Sequence, residues 1–100
     1  MKNTLVNTVE FGKALADDTR QKIMKLICCH QLSVNEIVTA LDVAQPTVSH
    51  HLNILKNAGL VSVERRGKQA LYTLNQERLA RACCVVADHF APEYPIQVDK

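Results

Sequence analysis

Apolar residues recur along this chain at two spacings, and the change between them divides it. Over the first half they return every three or four positions, the helical spacing, beginning with Leu5, Val9, Gly12 and Ala16 along one side of a helix expected over about residues 3–16. "ADDTRQKIMKLICCH" then opens on Asp and Thr, side chains that cap helix N-termini, and predicts a second helix reaching to about residue 30. In "SVNEIVTAL" Ser33 and Glu36 stand three apart, the spacing of a capping box, so a short third helix is expected over about 33–41. "DVA" makes a tight connection. Pro46 suits the first turn of a fourth helix, where its missing N–H costs nothing, and Gly59 is placed to close that helix. From residue 60 the pattern alternates: Val61 and Val63, then Leu71, Tyr72 and Leu74, flank "RRGK" as the two strands of a hairpin. Asn75 caps a last helix that ends before Pro92, and two prolines in "APEYPIQVDK" predict an extended tail.

The expected fold is therefore mainly α with a small β-hairpin, of the α+β class, in a single domain over residues 1–100. Helices three and four, joined by about four residues, make a helix-turn-helix over 33–58, with the hairpin at 60–74 as its wing and 91–100 as the tail. Val48, Leu52 and Leu55 fall on one side of the fourth helix and face the core. Ser49, His50 and Asn53 fall opposite, flanked by Gln45, Thr47 and Lys56. These are short donors and acceptors rather than a solvating run of Glu and Lys, and such side chains reach base edges or phosphates in a major groove. His51 is placed nearer the edge of the same helix.

Charge sharpens this picture through its distribution. The whole chain is only +2, with 47% hydrophobic and 22% charged residues, which is ordinary globular composition. Between Gln45 and Ala70, however, Lys56, Arg65, Arg66 and Lys68 face a single acid, Glu64. A basic hairpin tip beside a polar helix face predicts contact with the backbone of double-stranded DNA. Glycine-rich phosphate loops and Ser-His-Asp constellations are missing, so an enzyme is not expected and no permanent cofactor is implied. A winged-helix protein-interaction module would need exposed apolar residues on the fourth helix, and only Ile54 offers itself. No signal-peptide core or membrane-length apolar run is present, which leaves the cytoplasm as the expected location.

"KALADDTRQKIMKLI", "LSVNEIVTALDVAQPTVSHHLNILKNAGLV" and "VERRGKQALYTL", together covering about residues 13–74, resemble the ArsR/SmtB family of winged-helix transcriptional repressors. The resemblance implies a homodimer built on the first and last helices (about 1–16 and 75–90), bound to a near-palindromic operator and released by a ligand. The chain's own pattern agrees. Leu79, Cys83, Val86 and Phe90 form more apolar stripe than one small subunit need bury, and a two-fold dimer would set two reading helices about 34–36 Å apart. Phe11 and Tyr94 are read as packing residues.

Two family metal sites can be checked against the residues, and neither fits. The third helix carries no cysteines, and the last begins "NQER" with only His89, beside Asp88, near its end. What remains are four cysteines in two adjacent pairs, Cys28–Cys29 and Cys83–Cys84. Neighbouring Cα atoms are about 3.8 Å apart, too close for an ordinary structural disulfide. A free cysteine is often only a small buried hydrophobe. Thiolates are also soft ligands, and the resembled family's arsenite-type effectors take three of them. The expected effector site combines Cys83 and Cys84 with Cys28 or Cys29, for As(III), Sb(III) or another soft metal ion. The alternative is redox or persulfide sensing by the same thiols, with Arg81 near enough to stabilise a thiolate. His30 is read as a satisfied helix-end residue in preference to a ligand.

Overall fold

The computed structural model describes residues 7–94. Five helices, α1 (Thr8–Leu15), α2 (Asp18–Ile27), α3 (Val34–Leu41), α4 (Gln45–Asn57) and α5 (Gln76–Phe90), surround a sheet of β1 (Leu32–Ser33), β2 (Val61–Arg66) and β3 (Gln69–Leu74). Each helix but α4 begins with a side chain taking a first-turn N–H. Asn7 accepts from Glu10, Asp17 from Arg20 and Asn75 from Arg78, each at 3.0 Å. Ser33 and Glu36 cap α3 reciprocally, at 3.2 and 2.8 Å. These bonds satisfy donors that the helix itself leaves orphaned. α4 has no such cap; Pro46 in its first turn presets the backbone instead.

The turn between α3 and α4 is made by Asp42, whose φ of 55° is left-handed. Asp tolerates that region better than most residues, and its N–H closes α3 on Val38 at 2.8 Å. α4 ends in a Schellman motif: Gly59 at φ 77° donates to Lys56, and Leu60 donates back to Leu55 at 3.0 Å. Leu60 is thereby driven into the core. Ile23, Ile27, Ile37, Val48, Leu52, Leu55 and Leu60 are the largest side chains fully removed from solvent, so the centre of the molecule is where α2, α3 and α4 meet.

The sheet has the order β1-β3-β2, antiparallel throughout. Its long pair runs from Val61 opposite Leu74 out to Arg66 opposite Gln69, with Gly67 at φ 61° starting the two-residue turn. β1 is an addition to the expected two-stranded hairpin: Leu32 pairs with Tyr72 and Ser33 with Leu71. Two residues are too few to show alternation.

Three further expectations are corrected. α2 stops at Ile27, so Cys28 is its last cap and Cys29 lies in the turn that carries the chain to β1. On α1 the buried residues are Phe11 and Ala14, and Val9, Gly12 and Ala16 face outward; Leu5 lies outside the described residues. Arg20 sets that rotation by donating to the carbonyls of Ala14 (3.1 Å) and Lys13 (2.8 Å) at the end of α1. Tyr94, expected to pack, is 72% exposed, whereas Phe11 is buried as expected; of the tail, 95–100 lie outside the described residues. No helix among the described residues is long and apolar enough to cross a membrane.

Candidate nucleic-acid interface

Val48, Leu52 and Leu55 pin one side of α4 into the core at 0, 2 and 0% exposure. Gln45, Thr47, Ser49, His50, Asn53 and Lys56 consequently stand on its outer side, all exposed. A short turn and a pinned apolar face turn these side chains outward together, and the helix N-terminus adds backbone donors for a phosphate.

His51, expected near the edge of that face, belongs to the interior. It is 9% exposed, with Nδ1 accepting from Arg20 Nη1 at 3.0 Å and Nε2 3.9 Å from Asp17 Oδ1. Burial lowers its pKa, against the pull of the Asp17 carboxylate, while the Arg20 guanidinium adds to the lowering. Asp17 is itself held below the usual carboxylate range, first by the backbone N–H of Arg20. A neutral His51 therefore accepts from Arg20 and points its Nε2 proton toward Asp17. The same guanidinium holds the end of α1, so one side chain joins three helices and fixes how α4 is rotated.

On the wing, Arg65, Arg66 and Lys68 are exposed. Arg66 Nε donates to Glu64 Oε2 at 3.1 Å, and Gln31 Nε2 donates to Glu64 Oε1 at 2.7 Å. Those bonds lower the Glu64 pKa, Gln31 contributing most. Part of the Arg66 charge is thus spent within the wing, and Glu64 links the wing to the turn after α2. Position alone ties Gln31 to no site, and sequence reasoning missed it.

The four thiols have unlike surroundings. Cys28 is half-buried, while Cys29, Cys83 and Cys84 are exposed. Cys28 Sγ lies 3.2 Å from Cys29 Sγ and 3.2 Å from the Lys25 carbonyl. Its pKa is raised, first by the hydrogen bond with Cys29. Among the described residues no three His, Cys, Asp or Glu side chains gather into a metal-sized group, so one subunit does not bring Cys83 and Cys84 together with Cys28 or Cys29. Arg81 is engaged with Glu77 at 3.2 Å rather than with a thiol. His30 is exposed just past the pair.

A helix-turn-helix with a polar outer face, and a two-stranded wing tipped with Arg and Lys beside it, defines a winged helix-turn-helix DNA-binding protein. The family described as "Bacterial regulatory protein, arsR family" matches residues 17–63. The transcriptional repressor SdpR of Bacillus subtilis (strain 168) is 40% identical over 63 residues, a stretch covering 63% of this chain and 70% of that protein. A probable mercury resistance operon repressor of Streptomyces lividans is 38% identical over 88 residues, 84% of this chain and 70% of its own length. The solution structure of a homodimeric winged helix-turn-helix DNA-binding domain from Mycobacterium bovis superposes with a TM-score of 0.67 at 30% identity, covering 89% of this chain and 86% of that one. The chain belongs to the ArsR family. It is a transcriptional repressor of the ArsR/SmtB type and not an enzyme.

Proposed function

We propose that two copies of this chain bind a near-palindromic operator, with the outer face of α4 in the major groove and the wing on the neighbouring backbone, and that a thiol-reactive ligand releases them. The observation that carries the reading is the shared outward orientation of Gln45, Thr47, Ser49, His50, Asn53 and Lys56 beside Arg65, Arg66 and Lys68. Thr47, Ser49 and Asn53 discriminate bases; Lys56 and the wing cations hold phosphates. Ile54, the residue on which a protein-docking face would depend, is half-buried and offers little to a partner.

The dimer is supported by the outer faces of α1 and α5. Val9 and Phe90 are 64 and 79% exposed, and they line one shallow groove with the half-buried Leu15 and Val86. An apolar strip of that kind invites a second copy, and the Mycobacterium bovis domain is homodimeric. For the effector we favour As(III), Sb(III) or another soft metal ion at the cysteines, consistent with a relative that regulates mercury resistance. Redox or persulfide sensing is the second reading, favoured by the exposure of Cys29, Cys83 and Cys84.

The test is fluorescence anisotropy of the reduced protein on DNA from its own upstream region, titrated with arsenite, antimonite, zinc, copper(I) and an organic persulfide in turn. Specific binding, with log affinity falling linearly against log salt, is expected, followed by release on adding a thiophilic ligand. Equal affinity for that DNA and random DNA would refute the operator reading. Release by persulfide alone would turn the effector reading into the redox one.

A further inference from the structure

We infer that a second ligand site lies between α1, the exit of α4 and the first turns of α5, and that it takes a small monocarboxylate on an apolar body of about six carbons. None of the four cysteines and none of the residues assigned to DNA lines it.

The site is a cavity of about 200 Å3 with two kinds of lining. Phe11, Ala58, Leu60 and Ala82 make the apolar part. Ala82 is the residue that α5 buries, and its small side chain leaves the room. Arg78, Arg81, Asn7 and Asn75 bring hydrogen-bond donors. Asn7 and Asn75 spend their side-chain oxygens on capping α1 and α5, at 3.0 Å each, which leaves their NH2 groups to donate. Arg78 and Arg81 stand three apart on α5 and share a face. Arg81 is held by Glu77 at 3.2 Å in a well-exposed pair, a contact that solvent weakens.

Arg78 is the telling residue. It is half-buried, and among the described residues no ion pair or carbonyl holds its guanidinium. The group lies against Gly59, where a Cβ would come within 2.5 Å of Nη1. Gly59 thus serves twice, in the left-handed turn at φ 77° and in leaving the space this cation occupies. A half-buried cation left unmatched in this way is ready for an anion.

Charge and size narrow the anion. Two cations, Arg78 and Arg81, against one acid, Glu77, give the lining a net +1, which one negative charge balances. A phosphate ester brings about 1.5–2 negative charges and overshoots. A carboxylate accepts on both oxygens and matches the fork of an arginine. An apolar cavity of about 150 Å3 holds benzene. The present one therefore has room for a ring or short chain with a carboxylate attached.

The placement gives such a ligand a hold on the repressor, a consequence that, unlike the site itself, rests on the operator reading above. Leu60 closes α4 on Leu55 at 3.0 Å, and its carbonyl accepts from the N–H of Asn75 at 2.8 Å. Phe11 lines both this cavity and the apolar groove assigned to the dimer. One molecule would touch the helix that reads DNA and both helices that pair the subunits.

The experiment titrates benzoate and hexanoate into the full reduced chain, with benzyl alcohol as the uncharged match and phenyl phosphate as the dianion. Calorimetry gives affinity, and amide proton–nitrogen correlation spectra locate the binding. We expect one benzoate or hexanoate per subunit with a dissociation constant below about 1 mM. Cross-peaks of Phe11, Leu60 and Ala82 should shift, and benzyl alcohol and phenyl phosphate should bind more weakly. Arg78→Met should keep its urea midpoint and lose at least about tenfold in affinity, the worth of a hydrogen bond to a charged group. Operator affinity should change by at least about fivefold at saturating carboxylate, the lower end of ordinary allosteric coupling. No binding of either carboxylate up to about 10 mM overturns the site. So does benzyl alcohol binding as well as benzoate, or Arg78→Met binding as well as wild type. Phenyl phosphate binding more tightly than benzoate overturns the ligand class. Should Arg78→Met not fold, Arg81→Met and the pattern of shifted cross-peaks decide in its place. Unchanged operator affinity with the carboxylate bound overturns the consequence alone, and a reduced protein that binds no operator counts against the operator reading and leaves the calorimetry to judge the site.

Discussion

α4 and α5 begin from similar amphipathic patterns and end in opposite situations. α4, 13 residues long, buries Val48, His51, Leu52 and Leu55 within its own subunit, and its polar side faces out. α5, 15 residues long, buries only Ala82. Leu79 and Val86 are partly covered, and Phe90 stays 79% exposed. One helix is anchored by its subunit and presents chemistry; the other is lightly held and presents apolar surface. The same 3.6-residue period can therefore announce a core or an interface, and the number of partners already touching the apolar side distinguishes them.

The largest test of this contrast removes an anchor of α4. Leu55→Ala takes a fully buried side chain from the junction of α2 and α4, and we expect a loss of about 2–5 kcal/mol in folding stability by urea denaturation. On α5, Phe90→Ser should leave the denaturation midpoint at high dilution nearly unchanged. In sedimentation equilibrium it should weaken subunit association by about 2 kcal/mol if Phe90 is an anchor of the interface. Should Phe90→Ser unfold the isolated subunit as Leu55→Ala does, the contrast between the helices is wrong.

Local signals in the chain carried most of the architecture. Ser33 with Glu36, Pro46, Gly59 and Asn75 each act within a few residues, so their caps and turns are readable wherever the sequence is. The buried face of α4 is equally local, being set by spacing. What stayed hidden depends on distant partners. His51 looks like one more polar residue of α4 until Arg20, 31 positions earlier, is seen beside it. The Cys28–Cys29 pair changes character because α2 ends at Ile27, and the pattern holds no breaker there. β1 exists only because β3 offers it an edge. The rotation of α1 was similarly obscure, since Val9–Gly12–Ala16 and Phe11–Ala14 both fit helical spacing and only the bonds from Arg20 choose between them.

The outer face of α4 is sharpened by substitutions that leave its anchors in place. Asn53→Ala and Ser49→Ala should each cost about 1–3 kcal/mol of discrimination between operator and random DNA, with little change on random DNA. Arg65→Ala and Lys68→Ala should weaken binding to both alike and reduce the salt slope by about 1 each, measured by anisotropy from low to physiological salt. Equal losses on both DNAs for Asn53→Ala would make α4 a phosphate clamp instead of a reading element.

The smallest effect concerns how α4 is held. His51 is protonated less readily in the folded chain than at its ordinary value of 6.5, burial being the first cause. Between its lowered folded pKa and 6.5 the unfolded chain binds the extra proton, so unfolding becomes easier as pH falls. The contribution is fully present above about 6.5 and is lost downward through the folded pKa. Protonation also takes away the Nδ1 lone pair that accepts from Arg20 and sets two cations 3.0 Å apart, which the Asp17 carboxylate at 3.9 Å offsets only in part. His51→Gln, which carries no titratable ring, should lose about 0.5–1.5 kcal/mol of stability at pH 7.5, the net worth of a hydrogen bond, and should flatten the pH dependence below 6.5. Urea midpoints of both proteins between pH 5 and 8 would show it. An equally steep acid loss in His51→Gln would place that proton on another group and leave α4 held by its apolar anchors alone.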